Sequence, residues 1–455
     1  MERVKKQNII FLSIDSLRQS HLSCYGYKRK TTPNIDSFAA NAVKFTQCIA
    51  QANWTLPSHF SMMTGMYPYF HGCTDEKKKL NPAIPVWPEI MREAGYATAA
   101  FTGGGYLSED YNFNKGFSFF DAEKEPQTKK NKKIISWLKG IQQPFFLFLH
   151  SFDVHHPYSP PPEFDKFTEG EKIDVDTSKT FFQSVSDGGG KLGEKELGRI
   201  VDLYDGGISF FDSSFGELIS GIKELGFWED TFFIVTADHG EEFLDHGRMG
   251  HSDYSFYDEL IKVPLLVKSP LHGALKIDDQ IRHIDLMPTL LELLGIRANL
   301  KIHGKSFVPL LEGVTSARGR IAFNEMRTNV RVIRSVRAGG WKLIKREFMA
   351  SKVFEKNWRK WLPRYTKKAF LLMKGNLRRG TKKKKVLTSG VELYSLKSDP
   401  HERENLAVKN REKLKELEEE LKNWVESQGS TALKEPLKVT LEEKTQNQLK
   451  GLGYL

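Results

Sequence analysis

Cysteine is scarce: the 455-residue chain has three, Cys24, Cys48 and Cys73, and no CxxC pair. Their number and spacing exclude a disulfide framework and a cysteine-based zinc site, and they suit a reducing compartment. Long apolar runs are lacking too. None reaches the roughly 18 residues of a membrane-spanning helix, and the first, at 8–14, is too short for the core of a signal peptide. The expectation from these absences is a protein of the cytoplasm, or of the cytoplasmic face of a membrane. Acidic residues are nearly missing from one stretch: between Lys352 and Lys385 stand 14 Lys and Arg and one acid, Glu355. That segment carries an excess of +13, so the remainder of a chain with net charge +11 carries −2. The basic character belongs to one insertion.

What is present is the make-up of a globular protein, 39% hydrophobic and 27% charged, long enough for one large α/β domain and a smaller one. Short, almost wholly apolar runs at 8–14, 145–150, 231–237 and 264–268 read as strands of a parallel sheet, buried on both faces. Helical stretches at 34–41, 87–94, 195–225 and 285–294 lie between them. This alternation predicts a mostly parallel sheet flanked by helices, with its ligand site at the carboxyl ends of the strands. Residues 163–193, polar and containing Gly188, Gly189 and Gly190, read as a surface excursion or lid. Beyond about residue 317 the character changes. Residues 320–345 and 391–396 read as strands of a smaller antiparallel sheet, separated by the basic insertion, and 409–427 as a charged amphipathic helix, solvated and structural. The expected division is a catalytic α/β domain at 1–317 and an α+β subdomain at 318–455.

Polar residues stand where the apolar runs end: Asp15 after the first, His150 to His155 after the second, Asp238 and His239 after the third. A carboxylate and an imidazole at a strand-to-turn junction can bind one divalent cation together. An Asp-His pair alone says little, but parallel pairing of neighbouring strands would add Asp15. Residues 53–59 (Asn-Trp-Thr-Leu-Pro-Ser-His) read as a helix start, with Thr55 as N-cap and Pro57 in the first turn. Capping alone accounts for Thr55. The same position also puts a hydroxyl where a helix dipole favours an anionic phosphoryl or sulfuryl group, and a metal touching it would create a nucleophile.

These motifs, taken in order, resemble those of type I sulfatases in the alkaline-phosphatase superfamily. Ile14-Asp-Ser-Leu-Arg18, with His21 to Gly26 and Thr32-Pro-Asn34, resembles the family's first metal motif. Thr55-Leu-Pro-Ser-His59 with Thr64-Gly65 resembles its nucleophile motif, Cys/Ser-x-Pro-Ser-Arg, and Asp153 to Tyr158 its substrate-histidine motif. Asp238-His-Gly-Glu241, Gly250-His251 and Val263-Pro264 resemble the second metal motif and its sequel. Leu393-Tyr394, Asp399-Pro400, Asn405-Leu406 and the closing Leu452 to Leu455 resemble the family's carboxyl-terminal region. The resemblance implies metal ligation by Asp15, Thr55, Asp238 and His239, with Thr55 also the nucleophile. It implies that His155 contacts the ester's anionic or leaving-group oxygens, and that His251 protonates or stabilises the leaving group. His246 and His59, which stands in the arginine's place, are candidates to line the substrate. His156 is expected to face solvent and Cys24 to fill the core.

Three departures bear on chemistry. Thr55 cannot give the formylglycine aldehyde of true sulfatases, so none is expected. Ser16 replaces a second acid beside Asp15, which favours Mn²⁺ or Zn²⁺ over Ca²⁺, with Mg²⁺ also compatible. The Gly-Lys-Trp-His-Leu-Gly signature is absent, and Phe-Thr-Gly-Gly-Gly-Tyr at 101–106 stands near its place. With threonine as nucleophile the site resembles that of single-metal phosphoglycerol or phosphoethanolamine transferases and phosphodiesterases. The expectation is a hydrolase of sulfate or phosphate esters. The alternatives are a phospho-headgroup transferase acting on a glycan or lipid, and a catalytically inactive binding protein. The insertion at 352–385 mixes aromatic and basic residues, which fits a solvated arm or a peripheral membrane contact better than specific nucleic-acid binding.

Overall fold

The computed structural model describes residues 6–454 apart from 143, 171, 252–254, 315–318, 328–330, 349–389 and 430–436. The basic insertion, and the membrane contact expected of it, lie outside the described residues. No helix among the described residues is long and apolar enough to cross a membrane.

The first apolar run forms strand β1 (Asn8–Ile14), with all seven residues buried. It is joined by β2 (Val43–Ile49), β3 (Ala97–Phe101), β4 (Phe119–Asp121), β5 (Phe145–Ser151), β6 (Thr231–Ala237), β7 (Lys262–Lys268), β8 (Leu275–Ile277) and β9 (Ile281–Arg282). The sheet order is β8-β2-β7-β6-β1-β5-β3-β4, with β9 beside β2. β1 lies parallel between β5 and β6, its Ile14 opposite Ser151 and Ala237.

β7 departs from the expectation of parallel runs, since it pairs antiparallel with both β6 and β2. The chain between β6 and β7 stays at the carboxyl end of β6 and makes no crossover, so the next strand must run back.

Helices cover both faces. α1 (Pro33–Ala39), α2 (Thr55–Thr64), α3 (Trp87–Glu93), α4 (Gln127–Lys139), α5 (Lys179–Ser186), α6 (Glu194–Glu224) and α7 (Leu286–Leu293) follow the chain. Side chains alternate across a strand, so the partners of alternate residues reveal the two layers. Phe11 of β1 meets Trp87 of α3 at 5.6 Å between ring centroids. Phe233 of β6, level with Ile10 and so on the other face, meets Phe38 of α1 at 5.5 Å and Phe215 of α6 at 5.9 Å. Each such fully buried side chain contributes about 1.5–3 kcal/mol by leaving water.

A second sheet, β10 (Ala322–Arg327), β11 (Arg331–Ala338), β12 (Trp341–Phe348) and β13 (Gly390–Ser395), is antiparallel throughout. Helix α8 (Arg411–Gly429) packs on it. Its apolar face is turned inward: Leu414, Leu417, Leu421 and Trp424 are buried, and Trp424 stacks on Phe323 at 4.7 Å. The charged residues occupy the remaining face. The chain then returns to the larger sheet's side, where Leu437–Lys438 pairs with Lys78–Lys79 and α9 (Glu443–Gly451) follows.

Candidate active site

The carboxyl edge of β1, β5 and β6 gathers the chemistry. Asp15 leaves β1 and the chain turns sharply at Ser16, whose φ is +58°. That turn is held by Tyr204 of α6, whose hydroxyl donates to Ser16 O at 2.7 Å and accepts from Arg18 N at 2.8 Å. Asp238 and His239 leave β6 next door. Asp15, Asp238 and His239 are wholly buried, and their ligand atoms lie within 4.8 Å of one another.

Thr55 completes the group, though not as an N-cap. Trp54, extended and without a side-chain cap, precedes the helix, and Thr55 is its first residue. One position further in, the hydroxyl turns from the helix amides toward the sheet edge, where it donates to Asp15 Oδ2 at 3.4 Å. Helix α2 is fixed there by Ser58, whose hydroxyl donates to Asp238 O at 2.7 Å.

Two carboxylates buried side by side need a cation or a proton. Burial opposes ionisation of Asp15, yet the imidazoles of His155, His150 and His239 outweigh it and hold its carboxyl well below the usual range. Asp238 is pushed far above that range, first by burial and then by the Asp15 charge. Asp238 Oδ2 and His239 Nε2 are both buried without a hydrogen-bond partner. Orphaned donors of this kind, two carboxylate oxygens, an imidazole and a hydroxyl fit a divalent cation.

Behind this group, His150 Nε2 lies 3.2 Å from Asp15 Oδ2. His59 is also wholly buried, its Nδ1 donating to Thr55 O at 2.8 Å and its Nε2 accepting from Ser13 at 3.0 Å. It therefore supports α2 from beneath. On the other side a cluster of His155, His156 and His251 faces the triad. His251 Nδ1 lies 3.1 Å from Glu241, whose carboxyl also accepts from Tyr158 at 2.7 Å and is pushed up to about 7 by burial. His155 Nδ1 donates to His156 O.

His156 does not face solvent. It is buried beneath Phe182 of α5, 5.8 Å away, because the excursion at 163–193 folds a helix back over the site. His246 sits apart, stacked on Tyr257 at 3.5 Å and 3.3 Å from Glu259. Cys24 is half-buried and free.

A mostly parallel sheet with two carboxylates, an imidazole and a helix-borne hydroxyl at its carboxyl edge is an arrangement suited to ester hydrolysis of the alkaline-phosphatase type. The Sulfatase family profile matches residues 7–296, more than half of the sequence, and the chain belongs to that family of hydrolases. The carboxyl-terminal profile of N-sulphoglucosamine sulphohydrolase matches residues 247–357. Over 93% of its length the chain is 26% identical to an ulvan-active sulfatase of Formosa agariphila, of which it covers 81%. It is 24% identical to arylsulfatase K of Bos taurus across 66% of its own length and 65% of that protein's. Among solved structures, BT4656 in complex with its substrate D-glucosamine-2-N,6-O-disulfate aligns with a TM-score of 0.73 at 19% identity, covering 94% of this chain and 99% of that one. The phosphonate monoester hydrolase of Agrobacterium radiobacter aligns with a TM-score of 0.68 at 19% identity, covering 96% and 100%. At these identities the solved structures establish the fold.

Proposed function

We propose that this chain is a metal-dependent hydrolase of sulfate or phosphate esters that uses Thr55 as its nucleophile. The observation that carries the reading is the Thr55 hydroxyl, 3.4 Å from Asp15 and beside the unpartnered Asp238 Oδ2 and His239 Nε2. A divalent cation, Mn²⁺ or Zn²⁺ in preference, held by Asp15, Thr55, Asp238 and His239 would neutralise the two carboxylates and make the hydroxyl easier to ionise.

The residues of the chain supply the rest. Thr55 Oγ1 gives up its proton and forms a bond to sulfur or phosphorus as the bond to the alcohol oxygen breaks, the alcohol departing with that electron pair and taking up a proton, which leaves a threonyl ester. His155 and His251 turn Nε2 toward the site, where an imidazole that has taken up the proton released by Thr55 can pass it to the leaving oxygen. Water then cleaves the threonyl ester and restores the hydroxyl. The Formosa relative, described as an ulvan-active sulfatase, and the aligned structure with a glucosamine disulfate support a sulfated sugar as the substrate class. An alcohol in place of water would make the same site a transferase, the reading that a threonine nucleophile favours second. Retention of Asp15, Thr55, Asp238, His239, His155 and His251 together argues against an inactive binding protein.

The test compares metal-loaded wild type with Thr55→Ala on an aryl sulfate, an aryl phosphate and a bis-aryl phosphodiester. Turnover that vanishes in Thr55→Ala and on chelation, and returns with Mn²⁺ or Zn²⁺, is the expected result. Undiminished turnover by Thr55→Ala would remove threonine from the nucleophile's role.

A further inference from the structure

The loop standing where the family signature is missing carries three left-handed glycines, Gly103, Gly104 and Gly105, at φ of +88°, +78° and +62°. It is shaped to receive α9. The Gly105 N–H donates to Gln448 Oε1 at 3.0 Å, and Gln448 Nε2 donates to Ala122 O at 2.8 Å. A side chain at Gly104 would collide with the Gln448 amide. Leu449 and Leu452 are buried beside the loop.

Past α9 the backbone turns at Gly453, φ +77°, and carries Tyr454 into the site. Its ring lies 4.9 Å from that of Tyr106 and 3.7 Å beneath Lys179 Nζ. Its hydroxyl is 3.0 Å from His155 Nε2 and 2.8 Å from His251 Nε2. His155 turns its Nδ1 to the His156 carbonyl, so that nitrogen bears the hydrogen, and His251 Nδ1 bears it likewise when the Glu241 carboxyl it meets is ionised. In neutral rings both Nε2 atoms are then acceptors, which an anionic ester oxygen would find repulsive. The phenol O–H is the uncharged donor of this trio.

We propose that Tyr454 contacts the substrate, its O–H swinging from an imidazole to donate to a non-bridging oxygen of the sulfate or phosphate ester. The segment Glu443–Tyr454 is thereby part of the active site. This rests on the reading of the site as an ester hydrolase, and the test separates the two.

Tyr454→Phe keeps the ring against Tyr106 and Lys179 and removes only the donor. Gln448→Ala loosens the seat of α9 and leaves the Tyr454 hydroxyl in place. Two readouts apply to the full-length, Mn²⁺- or Zn²⁺-loaded protein: kcat/KM on any ester turned over, and calorimetric binding of inorganic sulfate and inorganic phosphate. Loss of one hydrogen bond predicts kcat/KM lower and anion Kd higher by about tenfold in Tyr454→Phe, with an unchanged unfolding midpoint. Gln448→Ala should show a smaller loss, and the double variant should be no worse than Tyr454→Phe. Equal or tighter anion binding by Tyr454→Phe overturns the proposal, as does wild type that binds neither anion. If wild type turns over no ester but Tyr454→Phe still binds anion more weakly, the contact stands and the hydrolase reading falls.

Discussion

At the scale of single residues, the site is built in two layers, and the outer one controls what the inner one presents. Tyr158 illustrates this. Its hydroxyl donates to Glu241 at 2.7 Å, and Glu241 in turn meets His251 Nδ1 at 3.1 Å, which leaves Nε2 pointing into the site. Tyr158→Phe should lower kcat by about tenfold through a misaligned imidazole, while metal content by elemental analysis stays at the wild-type level. A loss of metal in that variant would instead place Tyr158 in support of the cation. Asp15, Asp238 and His239 were legible as candidates because each follows an apolar strand, whereas Thr55, which capping alone would explain, stood out only through its motif. His150 ends a strand in the same way, but nothing in its spacing told it apart from a core histidine. Glu241 was visible only as part of a motif. Tyr454 was visible only within the closing motif at 452–455, which assigned it no role, since that depends on where a distant helix lands.

Elements carry a different kind of information. Helix α6 contains Gly206 and Gly207 in mid-course, a pairing that costs about 1 kcal/mol per residue in helix propensity. The cost is offset by close approach: a side chain at Gly206 would stand 2.8 Å from Phe164 O and from Pro160 Cγ, in the segment that follows the site histidines. Gly206→Ala should therefore destabilise by about 1–3 kcal/mol, despite alanine's better helix propensity, read as a lower urea midpoint. A raised midpoint would show that the 160–164 segment yields freely. Strand positions were readable from apolar runs, but the direction of β7 was not. Its composition matches a parallel strand because burial on both faces looks the same in either orientation. The position of Thr55 within α2 was displaced by one residue for a related reason: sequence marks a helix start, while tertiary contacts with Asp15 and Asp238 settle which residue begins it.

The whole molecule should be sensitive to acid well away from its active site. His71, His283 and His303 are held neutral by burial, with the Arg282 charge adding to the effect at His303, and their pKa values fall to about 3, about 3 and about 4. Unfolded, each would titrate near 6.5, so between that value and the folded pKa the unfolded state binds more protons. Stability is complete above about pH 6.5 and is lost as pH falls, by about 1.4 kcal/mol per pH unit for each histidine. Urea unfolding at pH 7, 6, 5 and 4 should show this slope, and His283→Gln should reduce it. A flat profile would mean that these rings reach solvent.

The return of the chain to its starting body has a consequence for how the enzyme is made. Asp15, Thr55, His155, Asp238 and His251 all lie in the part synthesised early, and domains can fold as they emerge. Tyr454 arrives only after the antiparallel sheet and α8 have been laid down and α9 has found the glycine loop. A chain without α9 thus has the central sheet and the Asp15, Asp238 and His239 cluster but lacks the tyrosine beside it. If Tyr454 meets the substrate as proposed, competence waits on the docking of α9, and a chain cut before Gln448 should keep the central sheet yet process esters poorly.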